Sequence, residues 1–271
     1  MIAPEPIRRS WHASRPGAPS RRPPMALGSV VGILFLAVGA CGNSTLDLFD
    51  PDVGLLAHWA LDENQAGTPT ADSSGFGLGG TPSANPPVPT SDVPPVHFSD
   101  PHSLMFDGQG QWILIGNPPL LGAGGSISIA AWVRPTAIDG YRNLVAHGYR
   151  NDPNQDVALR LKMGTYQFTY WDSNDHQAVA PIPASDVGAW IHLCGVFDGS
   201  TYSIYRNGAL AGSTADAIAP PPNIDAPWAI GARAPQPNNN TLERLLQGEL
   251  DDVRIYGRAL SAAEVQALYR R

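Results

Sequence analysis

The stretch "GELDDVRIYGRALSAAEVQALYRR", residues 248–271, places a strand and a helix at the end of the chain, and the rest of the sequence is read outward from it. "GELDDVRIY" (248–256) has the apolar spacing of a β-strand, although Glu249, Asp251 and Asp252 are poor strand formers. In "LSAAEVQALYRR", Ser261 and Glu264 have the spacing of a capping box, and Leu260 and Val265 that of a hydrophobic staple. Arg270 and Arg271 suit the negative end of a helix dipole, and Val265 with Leu268 supplies one apolar stripe. A strand feeding a single short terminal helix is the expectation.

Upstream the chain alternates short apolar stretches with turn signals. "GLLAHWALDE" (54–63) reads as a strand, the turn cluster "DSSGFGLGG" (72–80) follows, and "HSLMFDGQGQWILIG" (102–116) gives two strands around a turn at Asp107-Gly108. "SISIAAWVRP" (126–135) alternates with period 2, Ile127, Ile129, Ala131 and Val133 lying on one face. "NLVAHG" (143–148), "VALRLK" (157–162) and "TYQFTYW" (165–171) come next. "WIHLCGVFDGSTYSIYRNGALAGS" (190–213) holds three strands, joined at Asp198-Gly199 and at the hairpin dipeptide Asn207-Gly208, and "WAIGAR" (228–233) is one more. The proline-rich "ANPPVPTSDVPPVHFSD" (84–100) reads as a surface loop, and "APQPNNNT" (234–241) as another. There is no repeat at solenoid or propeller period. Many short strands with almost no helix predict an all-β, two-sheet antiparallel sandwich.

Charge divides the chain. Its 271 residues carry a net charge of −7, yet the first forty hold five arginines and only Glu5 as an acid, leaving 12 basic against 23 acidic residues beyond them. So acidic a body argues against nucleic-acid binding, which depends on lysine and arginine neutralising phosphates. The arginines precede "ALGSVVGILFLAVGA" (26–40), an uncharged apolar run too short to span a bilayer and suited to a signal-peptide core. It ends in "VGAC", where Val38, Gly39 and Ala40 before Cys41 resemble the bacterial lipobox. That resemblance implies a lipoprotein signal peptide over 1–40, lipidation of Cys41 and a tether over 41–52. Acyl chains on Cys41 give stable membrane anchoring, and they leave Cys194 without a disulfide partner. Gly42, rather than aspartate, after the cysteine implies the outer membrane or cell surface of a bacterium.

The order "GLLAHWALDE…ADSSG", "HSLMFDGQGQWILI", "ISIAAWVRP", "WIHLCGVFDGSTYSIYRNGALAGS" and "GELDDVRIYGRALSAAEVQALY" resembles the LamG-like (laminin G type 3, concanavalin A-like) domain, over residues 53–271. The resemblance implies a jelly roll of two antiparallel sheets with first and last strands adjacent. It also implies a non-catalytic carbohydrate-binding or adhesion module whose partner is an extracellular or cell-wall glycan, or a surface protein. Related sandwiches often hold a calcium ion near the last strand, making Asp251 a ligand by resemblance. Hard cations take several oxygen ligands, so Glu63, Asp62 and a carbonyl near Gly108 are the further candidates; the competing reading has these acids solvated or paired with Arg254 and Arg258.

A glycoside hydrolase on the same sandwich is the alternative. Some related hydrolases carry Glu-x-Asp-x-Glu, with two of the acids as nucleophile and acid/base. Glu249 and Asp251 fit the first two positions, but the third falls on Val253 or Arg254. There is no nucleophile elbow, zinc motif or phosphate loop. His192 reads as a packed strand histidine and Cys194 as a small core residue. For ligand binding, Tyr166, Phe168 and Tyr170 should face the core and Gln167, Thr169 and Trp171 outward. Trp171 beside Asp172, Asn174 and His176 is suited to stacking on a sugar and hydrogen-bonding its hydroxyls, with Tyr141, Arg142, Tyr149 and Arg150 as a rim.

Overall fold

The computed structural model describes residues 49–122, 124–151, 154–222, 224–234 and 242–271. Signal peptide and lipidation site, 1–40 and Cys41, lie outside the described residues, as does most of the 41–52 tether. The described residues form one compact unit.

Among the described residues fifteen strands are present, here in chain order. β1 (Leu55–Trp59), β2 (Thr81–Pro82), β3 (Val88–Thr90), β4 (Ser103–Asp107) and β5 (Ile113–Gly116) come first. β6 (Ile127–Pro135), β7 (Tyr141–Asn151), β8 (Asn154–Lys162), β9 (Thr165–Trp171) and β10 (Asp175–Pro181) follow. β11 (Ile191–Phe197), β12 (Thr201–Arg206), β13 (Ala209–Ala215), β14 (Trp228–Ile230) and β15 (Gln247–Tyr256) lead to the helix α1 (Ala262–Tyr269).

The strands build two antiparallel sheets. One has the order β13-β12-β11-β6-β15-β4-β3, and the other β10-β9-β8-β7-β14-β5-β2. β1 completes the first sheet beside β15, Trp59 pairing with Val253 and Leu55 with Tyr256. First and last strands are therefore neighbours.

Alternation decides which side chains enter the interior. Ile127, Ile129, Ala131 and Val133 of β6 meet Leu159 and Leu161 of β8 and Tyr166, Phe168 and Tyr170 of β9 in one core between the sheets. A smaller cluster lies on the other side of the first sheet, where Ala130, Cys194 and Tyr256 pack under Leu260, Val265 and Leu268 of the helix segment. The Ser261 hydroxyl accepts from the Glu264 N–H, and the Glu264 carboxylate accepts from the Ser261 N–H at 2.7 Å, closing the capping box. At the β12–β13 turn, Asn207 and Gly208 take φ of 50° and 76°, the twist that a two-residue hairpin requires.

Two expectations need correction. Val88–Thr90, inside the segment read as a loop, pairs with β4 as a strand; Pro89 is tolerated because β3 lies at a sheet edge, where a missing N–H costs nothing. Asp175–Pro181 is also a strand, pairing along β9, although its alanines and polar residues carry little strand propensity.

Candidate functional site

Outward-facing positions of the second sheet converge on a hollow. Register sets Arg160 of β8 opposite Gln167 of β9, Lys162 opposite Thr165, and Asp156 opposite Trp171, which in turn faces Asp175 of β10. An outer sheet face is ordinarily solvated. Gln167 and Thr169 do point outward, as alternation predicts, but they are buried, as are Asp156 and Arg160.

Part of the cover comes from the chain that returns after β14. Arg233 donates to Asp156 at 2.5 Å, Arg244 approaches the same carboxylate at 3.4 Å, and Arg233 also pairs with Glu243. The Tyr141 ring lies among three cationic groups: 5.0 Å from the Arg244 guanidinium, 5.0 Å from the Lys162 ammonium and 6.0 Å from the Arg160 guanidinium. Cations held near an aromatic ring gain from its negative face.

These groups enclose a hollow of about 260 Å³ lined by Tyr141, Arg160, Lys162, Trp171, Asp175 and Arg244. Lys162 and Asp175 belong to opposite ends of the β9 ladder, yet Nζ and the carboxylate stand 3.6 Å apart. A flat sheet cannot bring them together; this face is curled inward. Arg160 donates from Nε to Gln167 at 3.0 Å, and its Nη2 lies 3.5 Å from Asp175. Burial pulls the Arg244 guanidinium down to about 10, with the neighbouring Arg233 adding to the effect. Burial also lowers Arg160, against the pull of Asp156 and Asp175.

Tyr141 and Trp171, both anticipated from the sequence, share this hollow. The other residues expected to bind a ligand do not line it. Arg142 turns back to Asp139, donating to its carboxylate at 2.7 Å. Asp172 and Asn174 form the β9–β10 turn, where the Asn174 N–H donates to Asp172 at 3.1 Å. His176 lies on the opposite face, stacked on Tyr170 and held by Asp216 at 2.7 Å and Asp172 at 3.0 Å. Burial disfavours its charge, but the two carboxylates outweigh burial and raise its pKa. The side chains of Tyr149 and Arg150 lie outside the described residues. Sequence reading missed Arg160, Lys162, Asp175 and Arg244. The alternation in "VALRLK" carries the signal for the first two, whereas Arg244 arrives only through the returning chain.

The carboxylates near the end of the chain occupy a second place, shaped by a bulge in β15. Asp251 pairs with Trp132 and Arg254 with Ala130, so Asp252 and Val253 together oppose Ala131. Asp252 has φ of 45°, a left-handed conformation that aspartate tolerates better than most residues. The slip keeps Leu250, Val253 and Ile255 in the core while Asp251 and Asp252 both avoid it.

Asp251 is fully buried, and Asp100 and Asp62 are acidic neighbours that repel its charge. Burial, reinforced by the neighbouring carboxylates, pushes Asp100 and Asp251 well above the usual carboxylate range. Asp251 Oδ2, Asp100 Oδ2 and Glu63 Oε2 are buried without a hydrogen-bond partner. Glu63 accepts from the Ala71 N–H at 3.1 Å. Gly108 is not part of this group: it follows Asp107, which pairs with Gln247, four residues along β15 from Asp251, and Arg142 lies beside it. Asp100 takes the place expected of Gly108. Among the described residues, no group of three or more His, Cys, Asp or Glu is arranged to hold a metal ion as it stands.

Glu249 pairs with Arg134 at 2.7 Å. Val253, where a third hydrolase acid belongs, is in the core, and Arg254 is bound to Asp252 at 2.9 Å. His192 is buried beside Trp132, with ring centroids 5.3 Å apart.

Residues 107–266 match the Laminin_G_3 family model, the concanavalin A-like lectin/glucanases superfamily. The chain belongs to this family. No curated protein sequence matches it. Among solved structures, this Laminin_G_3 chain is similar to domain 4 of AbnA, a GH43 extracellular arabinanase from Geobacillus stearothermophilus, in complex with arabinotriose. The TM-score is 0.60 at 22% identity, over 80% of this chain and 98% of that one. It is similar also to the binding domain of Paraclostridial Mosquitocidal Protein 1, with TM-score 0.62 at 16% identity, over 81% of this chain and 52% of that one. The botulinum neurotoxin DC binding domain in complex with SialylT gives a TM-score of 0.57 at 12% identity, over 81% and 52%. The Laminin_G_3 chain thus spans about half the length of the toxin domains it matches. At these identities the likeness is one of fold.

Proposed function

We propose that the protein is a non-catalytic carbohydrate-binding module, held at the bacterial outer membrane or cell surface through a lipidated Cys41. The observation that carries this reading is the hollow itself: Tyr141 and Trp171 on walls that also present Arg160, Lys162, Asp175 and Arg244. Aromatic faces stack on sugar rings while charged and polar groups fix the hydroxyls. Structures of the same fold in complex with arabinotriose and with SialylT add support of the weaker, fold-level kind. A hydrolase on this sandwich finds less support, because Glu249 is engaged by Arg134 and the third acid position falls on Val253 or Arg254.

The acidic cluster supports a structural calcium ion. Asp62, Asp100 and Asp251 repel one another electrostatically, and two of them present unpartnered buried oxygens. These suit a hard cation, which would reverse the sign of their repulsion; Asp252 and Glu63 are further acids of the neighbourhood.

A panel of neutral and acidic oligosaccharides titrated calorimetrically against the intact protein tests the main reading. Saturable binding that falls at least tenfold in Trp171→Ala, at unchanged melting temperature, is the expected result. No affinity for any oligosaccharide would leave a protein-interaction domain as the better account.

A further inference from the structure

We infer that the hollow on the second sheet selects anionic sugar residues, carboxylated or sulfated, over neutral ones, an inference that rests on the carbohydrate-binding reading and narrows it.

In a chain of net charge −7, Arg160, Lys162, Arg233 and Arg244 gather around one hollow. Among the described residues the acids paired with them are Asp156, Asp175 and Glu243, one fewer than these cations. Asp156 stands behind the wall, buried against Arg233 and Arg244, and Glu243, although exposed, is engaged by Arg233. Among the described acids, Asp175 alone lines the space alongside Arg160, Lys162 and Arg244.

Asp175 contacts its two cations at long range, 3.5 Å from Arg160 Nη2 and 3.6 Å from Lys162 Nζ. Well-formed charge-assisted bonds are shorter, about 2.7–2.9 Å. Both cations therefore retain capacity for a second anion, and Asp175 marks where its oxygens would lie. Arg160 is already fixed by Gln167, so its planar fork is oriented before any ligand arrives. Tyr141 and Trp171 stand beside these cations as faces for the sugar ring. At about 260 Å³ the hollow is near the small end of ligand pockets, roughly 300–1,000 Å³, which suits one ring with its charged substituent.

The test compares three oligosaccharides of similar length, one of uronic acids, one sulfated and one neutral, titrated into the intact protein at low and high salt. Acidic sugars should bind at least tenfold more tightly than the neutral one at low salt and lose that margin at high salt, where charge is screened. The sulfated and uronate arms show which acid group the hollow prefers. Lys162→Gln should weaken acidic binding about fivefold and neutral binding by less, because the acidic sugar alone loses a charge partner. Asp175→Asn should strengthen acidic binding, since it removes the competing carboxylate. Thermal melts of both variants check folding. Binding of the neutral sugar as tightly as the acidic ones would overturn this inference and leave the carbohydrate-binding reading standing. Failure of all three to bind would overturn both.

Discussion

Asp252 holds Arg254 from two residues earlier on the same strand, with Oδ1 2.9 Å from Nη2, while the same oxygen meets His58 Nε2 at 2.6 Å. Burial opposes the Asp252 charge, but His58 and Arg254 outweigh it and hold the carboxyl well below the usual range. The bulge makes this possible, because a regular strand would give Asp252 the inward side now taken by Val253. Asp252→Ala strands a buried guanidinium, for which about 3–5 kcal/mol is the expected cost. Urea unfolding measures it; a loss below about 1 kcal/mol would mean that Arg254 finds another partner.

Gly195 of β11 lies against the Phe168 ring across the core, where an added Cβ would stand 2.2 Å from Phe168 Cγ. The sheets cannot separate there without opening the interior. Gly195→Ala should cost about 1–3 kcal/mol. A melting temperature equal to the parent's would contradict the close approach.

His147 and His192 are buried, and burial pulls both down to about 4. Both fold neutral and must charge to titrate, so the stability tied to each is complete above the ordinary histidine value near 6.5 and declines as pH falls toward 4. The loss should be on the order of 3 kcal/mol for each by the bottom of that window. Imidazole titration by NMR checks it, and a midpoint near 6.5 for either ring would refute its burial in neutral form.

Glu264 moves in a different window. Its hydrogen bond to Arg258, with the Ser261 N–H adding, lowers its carboxyl to about 2 against the small cost of burial. Its support of the helix is full above the ordinary glutamate range and fades as pH falls toward 2. Glu264→Gln should therefore be less stable than the parent at neutral pH, with the difference vanishing in acid. A gap that does not change with pH would point to packing instead.

Calcium at the Asp62–Asp100–Asp251 cluster would stabilise the fold by mass action, about 2.7 kcal/mol at a concentration a hundredfold above the dissociation constant. The melting temperature should rise in calcium and return with chelator, and Asp251→Asn should abolish the response. A parent protein indifferent to calcium would dismiss the ion.

The fold was largely legible because the β6, β9 and β11 alternations and the Ser261–Glu264 cap are local patterns. The site was legible by halves. Trp171 and Tyr141 announce themselves as aromatics at strand ends, but their partners are set by the curl of the sheet, which the sequence does not display. Asp172, Asn174 and His176 look like a polar cluster in sequence, and the turn consumes them for its own hydrogen bonds. Asp100, in a proline-rich segment read only as a loop, reaches the cluster of Asp62 and Asp251 through the β1–β15 adjacency. The bulge at Asp252 has no local signal at all, since Asp is only one of several residues that accept a positive φ.

β15 is an interior strand, bordered by β6 along one side and by β4 and then β1 along the other. It is also the last strand of the domain to be made. A growing chain can close the β6–β11–β12 ladder early, but β1 and β4 have no partner in that sheet's centre until residue 256 emerges. The domain is therefore locked by its final strand, and a chain stopped before Gln247 has no means of completing the first sheet. Quality control can read that directly: a truncated copy leaves β1, β4 and β6 with open edges, a substrate for proteases rather than a shorter working protein.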